Sequence, residues 1–206
     1  MPQAASSWLR WARPLAALIA AAGISAIAFV AHLDVPFLDQ FDLAVHETGH
    51  LLTGFMPQLM MFMAGSGAQV LFPLGMAAYF GIRRRDGAAA AFCLAWAGTS
   101  ARDVSIYAGD AVSQALPLIG GGQHDWAHIL GPSGFDALDH TAGVARSIEI
   151  AGIVLATAGI VLAAREIVVA VRTRHREPVR VVHPSADREP WAAAASLPFR
   201  HERDVA

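Results

Sequence analysis

The sequence contains no lysine: all fifteen of its basic residues are arginine, which reflects genomic base composition and not function. It has a single cysteine, Cys93, so no intrachain disulfide can form, and its place in an apolar block gives no sign of a redox compartment. Charge is scarce. Only 16% of the residues are charged, where a soluble domain carries about 25%. With a net charge of −2 the chain has no basic excess to draw it to nucleic acid, and no nucleic-acid partner is expected. No internal repeat is visible, and no PDZ-like or other soluble regulatory domain is expected within 206 residues.

What is present is apolar and comes in blocks. The composition is 55% hydrophobic with a mean hydropathy of +0.43. This pattern predicts an all-α polytopic membrane protein of four to five transmembrane helices. Residues 14–33 contain no charge and are long enough to cross a bilayer core of roughly 30 Å. The stretch Ala26-Ile27-Ala28 resembles a signal-cleavage site, but signal peptides have apolar regions of only about 7–15 residues, so an uncleaved anchor over 1–35 is expected. Residues 38–55 should form a helix that stops near Met56-Pro57, because the residue before proline disfavours the α region. Residues 59–63 are too short to span and are read as a short re-entrant or extended segment, followed by a break at Gly65-Ser66-Gly67 and a helix over 67–82. Spans are expected from 87 to about 115 and over 148–171, separated by a loop at 116–145 rich in Gly, His and Asp. The arginine- and proline-rich tail, 172–206, is expected to be disordered.

Arginines orient the chain. Arg10, Arg13, the cluster at 83–85 and the tail should be cytoplasmic, while 34–40 and 110–145 carry no arginine and should lie outside. The expected location is the bacterial inner membrane, with four full spans and the tail in the cytoplasm. The helix at 38–55 then becomes a partial or tilted insertion from the outer side, and irregular backbone at that depth must be buried by protein or line a wet cavity.

That helix carries FDLAVHETGHLLTG, residues 41–54. His46 and His50 are four residues apart, on one helix face about 6 Å apart along the axis, and two imidazoles so placed can bind one Zn²⁺. Glu47, beside the first of them, can serve as general base toward a water that zinc activates. Gly49 adds no side chain and leaves room for another backbone or a substrate to approach. A chance HExxH would lie on a polar face, satisfied by water; here Leu43, Ala44, Val45, Leu51 and Leu52 surround it. Ionisable groups in such a setting cost about 2.5–3.5 kcal/mol at the bilayer centre and are functional by default.

A catalytic zinc needs a third protein ligand and an open position. Two regions can supply the ligand. Thr99, Asp103, Tyr107 and Asp110 form one polar helical stripe, although Asp103 is also explained by its neighbour Arg102 and the stripe by a solvated helix end. In GGQHDWAHIL, His124 and His128 share a face with Asp125 between them, while Trp126 suits a membrane interface. The third ligand is expected from this second segment, as Asp125 or His124. Asp110 is the rival, and it could instead hold a ligating histidine as its hydrogen-bond acceptor.

HETGH inside a hydrophobic helix resembles the site-2 protease family of intramembrane zinc metallopeptidases. The resemblance covers roughly residues 38–130, and Leu59 to Gly67 is similar to the membrane-inserted hairpin of that family. It implies zinc on His46 and His50, Glu47 as general base, and a membrane-embedded metallopeptidase-like domain over 36–171 that cleaves a membrane protein or peptide substrate within the lipid bilayer. The family's third ligand is usually an aspartate in an Asn-x-x-Pro-x-x-x-Leu-Asp-Gly motif, which is absent here, so no third ligand is carried over. The alternative is a non-proteolytic metal-binding membrane protein, a transporter or scaffold, which has no need of a general base at position 47.

Overall fold

A computed structural model describes residues 4–118 and 122–174, and among these every regular element is helical. The tail expected at 172–206 lies outside the described residues from 175 onward. The elements are α1 (Ala4–Ser25, widening into a π turn at Ala26–Val30), α2 (Leu38–Thr53), α3 (Gln58–Ala78, continued by a π turn at Tyr79–Arg84), α4 (Gly87–Gly109), the short α5 (Asp125–Leu130) and α6 (Thr141–Arg174).

Three of these helices are long and apolar enough to cross a membrane: Trp11–Val30, Gln58–Arg84 and Leu138–Arg172. The sequence pattern led us to expect four. The difference is α4, which at 23 residues has the length but carries Thr99, Ser100, Arg102, Asp103 and Ser105. Protein covers it, and most of its residues from Ala90 to Ala108 are buried. Close approach of small residues makes this possible, as is common between membrane helices. A Cβ on Gly98 would lie 2.6 Å from the Gly152 carbonyl oxygen, and one on Gly159 would lie 2.6 Å from that of Ala91. At these points α6 packs backbone to backbone on α4.

The segment 59–63 is neither extended nor re-entrant. It forms the first turns of α3, and Gly65 and Gly67 lie within that helix. A helical glycine costs about 1 kcal/mol relative to alanine, less than leaving backbone groups unpaired in an apolar medium. Pro57 lies just ahead of α3, its φ of −54° already near the helical value. The similarity to a membrane-inserted hairpin at 59–67 is therefore not matched by structure.

At 16 residues, α2 is about 24 Å long, short of a bilayer core. It ends at Thr53, before the expected Met56-Pro57, where the Thr53 hydroxyl donates back to the Gly49 carbonyl at 2.8 Å. Phe41 packs its ring on Phe72 and Trp96, Gly49 packs against the Ala64 backbone, and His50 reaches Met61. The helix thus lies along α3 from Met61 to Phe72. Over the same stretch folds α5, anchored where Trp126 Nε1 donates to Ser66 Oγ at 3.1 Å and by a small core of Phe62, Ala111, Ile129 and Leu130. Trp126 thus forms a bond between α5 and α3.

Candidate metal centre

The spacing of His46 and His50 on α2 directs both rings to the junction of α3 and α5. Their Nε2 atoms are 3.0 Å apart. Asp125, the first residue of α5, places Oδ2 at 2.9 Å from His46 Nε2 and 3.0 Å from His50 Nε2. His46 and Asp125 are buried and His50 nearly so. The backbone N–H of Asp125 donates to the Tyr107 hydroxyl at 3.0 Å, which ties this turn to α4.

The protonation pattern follows from one neighbour. His50 Nδ1 lies 2.9 Å from the Met61 carbonyl oxygen, which can only accept, so Nδ1 carries the hydrogen, and in the neutral form of the ring Nε2 then presents a lone pair. That lone pair faces a carboxylate oxygen and a second imidazole nitrogen at 3.0 Å each. Acceptors so close repel unless a proton or a metal ion lies between them. Two imidazole nitrogens and a carboxylate oxygen suit a divalent first-row metal, and the Met61 carbonyl is the kind of outer partner that fixes a ligating histidine. The group could hold a metal ion.

Two glycines shape the space. A Cβ on Gly65 would lie 2.5 Å from His50 Nε2 and 2.6 Å from His46 Nε2, so any other residue at this point of α3 would intrude on the ligating atoms. Gly49, within HETGH, lets the α3 backbone at Ala64 approach α2. The centre opens into a cavity of about 540 Å³ lined also by Glu47, Asp34, Asp39, Asp103 and Tyr107. Glu47 is exposed there. One turn before His46, Asp42 is only 1% exposed and accepts bonds from Trp96 Nε1 at 2.8 Å and Ser100 Oγ at 2.7 Å, fixing α2 against α4.

The other residues singled out from the sequence are occupied elsewhere. The Nδ1 atom of His124 accepts the Ala127 N–H at 3.3 Å and so caps α5, leaving Nε2 to donate to Asp110 Oδ2 at 3.3 Å. Asp110 also accepts from Ser113 Oγ at 2.5 Å and from the N–H groups of Leu116 and Ala115 at 2.9 and 3.0 Å. The Ser113 bond foremost, then those from Leu116 and Ala115, outweigh burial and hold its carboxyl down to about 2. Asp110 does hold a histidine, but that histidine caps α5 and is not one of the converging three. His128 packs its ring on Phe62 at 4.4 Å between centroids.

Sequence reasoning passed over Asp42, Gly65 and the Met61 carbonyl. Asp42 had a signal, an acid one helical turn before the first histidine. Gly65 was read as a helix breaker because its duty depends on a helix crossing that the pattern does not encode. No family model, curated protein or solved structure matches the chain, so the chemistry of the centre rests on its own geometry.

Proposed function

We propose that the chain is a membrane-embedded zinc endopeptidase of the site-2-protease type, resident in the bacterial inner membrane with its C-terminal tail in the cytoplasm. One observation carries this reading: His46, His50 and Asp125 converge on one point beside a cavity that Glu47 also lines. Arg13 of α1 and Arg84 and Arg85 of the turn after α3 share one end of the bundle with the last turns of α6, and the His46–His50–Asp125 group lies toward the other, which supports the orientation.

His46 Nε2, His50 Nε2 and Asp125 Oδ2 would hold the zinc. When bound, it supplies Lewis-acid polarisation of a scissile carbonyl and of an attacking water. Glu47 accepts the proton of that water and hands it to the departing amine. Met61, through its carbonyl, keeps His50 in the tautomer that offers Nε2. Tyr107 and Ser66 hold α5 so that the Asp125 carboxylate stays on the imidazoles. A transmembrane helix hides its peptide bonds, so the substrate must unwind locally before it enters the cavity, whose volume is in the range of ligand clefts.

Glu47→Gln tests the reading. The variant should keep zinc and lose cleavage of a membrane substrate by about 10²–10⁴-fold, the usual worth of general acid–base help. Cleavage at the wild-type rate ends the peptidase reading, and loss of zinc would make Glu47 a ligand. A second reading, a metal transporter or scaffold, draws on Asp34, Asp39 and Asp103, which line the cavity with Glu47 and would attract a cation. It is favoured if zinc crosses the membrane in reconstituted vesicles and no substrate is cut.

A further inference from the structure

The opposite end of the bundle holds a second cavity, of about 670 Å³, where α1, the turn after α3, the start of α4 and the end of α6 meet. Arg13, Arg84 and Arg85 line it, together with Asp86 and Glu166. Both carboxylates are already committed. Asp86 pairs with Arg13 and accepts the Ala89 N–H at 3.2 Å, capping α4. Glu166 stands 3.7 Å from Arg165 and presses against Gly87, where a Cβ would collide with its carboxylate. Arg84 and Arg85 have no carboxylate partner among the described residues. The turn that carries them is fixed: Arg85 adopts the left-handed conformation, φ 52°, and its N–H bonds back to the Phe80 carbonyl. Arg84 and Arg85 therefore border a cavity whose lining charges, three arginines against two carboxylates, leave a net positive charge.

The surroundings are apolar. Ile82 is 80% exposed, and Tyr79, Val168 and Val171 lie open near the same end. A free anion gains nothing from such a rim, whereas an acyl chain does. We propose that this cavity binds an anionic phospholipid, its phosphate held by Arg84 and Arg85 and its chains lying along the exposed apolar surface of α3 and α6. Guanidinium groups match phosphate oxygens geometrically, and anionic lipid is abundant in the leaflet that the arginine-rich end would face.

The test uses the full chain in mixed micelles of phosphatidylglycerol or phosphatidylcholine, with retained lipid read by native mass spectrometry. Two double variants remove equal charge from the same end: R84Q/R85Q, which empties the cavity of free guanidinium, and R83Q/R172Q, whose exposed side chains do not line it. We expect the wild type and R83Q/R172Q to retain phosphatidylglycerol over phosphatidylcholine. R84Q/R85Q should retain it at least about tenfold less well, the worth of one charge-assisted hydrogen bond. Inorganic phosphate at the lipid's concentration should not displace it. Equal loss in both doubles would mean diffuse attraction to an arginine-rich surface and overturn the site. Displacement by inorganic phosphate, with no preference between the two lipids, would mean a free-anion site and overturn the lipid.

Discussion

Asp110 and Asp125 invite comparison. They lie at the same end of the bundle, both are buried, and each meets an imidazole nitrogen. Asp110 spends its oxygens on Ser113, Ala115, Leu116 and His124, so it closes the turn beyond α4. Asp125 instead sets one oxygen, Oδ2, against two ring nitrogens, and its backbone N–H goes to Tyr107. Residue type does not separate a candidate ligand from a structural carboxylate here. What separates them is whether local hydrogen-bond donors have already consumed the carboxylate's lone pairs.

Exchanging the two aspartates for alanine one at a time gives the largest contrast. Asp125→Ala removes one of three converging ligand atoms and should weaken zinc binding by more than about a hundredfold, beyond the 10–100-fold typical of outer partners. Asp110→Ala should leave zinc stoichiometry intact, because its side chain reaches the centre through His124 and the cap of α5. Zinc content measured on both purified proteins decides. Full occupancy in the Asp125 variant, or equal loss in both, would erase the distinction.

The glycines of α3 offer a smaller and more local contrast. Gly65→Ala places a methyl group against both Nε2 atoms and should lower zinc affinity by about 10–100-fold. Its stability should fall by up to about 2 kcal/mol, since overpacking of about 1–3 kcal/mol is only partly offset by about 1 kcal/mol of helix propensity. Gly67→Ala meets nothing within 4 Å, so it should bind zinc as the wild type does and melt slightly higher. Competition with a chromophoric chelator, run beside thermal unfolding, tests the pair. Equal affinities in the two variants would mean that α3 does not crowd the centre.

How much of this could be read beforehand follows from the range of each interaction. The His46 and His50 pair was legible because four-residue spacing is a local property of a helix. Asp125 was legible only as one of several candidates, since its approach depends on α5 folding back over α3 through Trp126 and Ser66. The helical state of 59–63 was misread because a glycine pair signals a break in water, and the signal weakens where every backbone group must bond internally. The burial of Thr99, Ser100 and Arg102 on α4 was hidden as well, because it depends on Gly98, Gly152 and Gly159 letting α6 approach. Helix contacts of this kind are set by residues far apart in the chain and leave no periodic trace.

The gentlest break in the comparison is Asp110→Asn, which keeps the shape and removes the charge. The amide retains one acceptor and turns a donor group toward N–H and O–H groups that need acceptors, so the variant should lose about 1–2 kcal/mol of stability at neutral pH. The loss has a direction in pH. The carboxyl of Asp110 is held at about 2, below its ordinary value of 3.8, so its stabilisation is complete above about pH 4 and disappears as the pH falls toward 2. Wild type and variant share every other titrating group, including the His–His–Asp centre, so the difference between their unfolding curves isolates this carboxyl. That difference should shrink from about pH 4 downward and vanish only below about pH 2, where the native carboxyl is protonated, while zinc stoichiometry at neutral pH stays equal in the two proteins. A gap that stays constant across the window would mean that the turn beyond α4 is held by shape and not by the charge on Asp110.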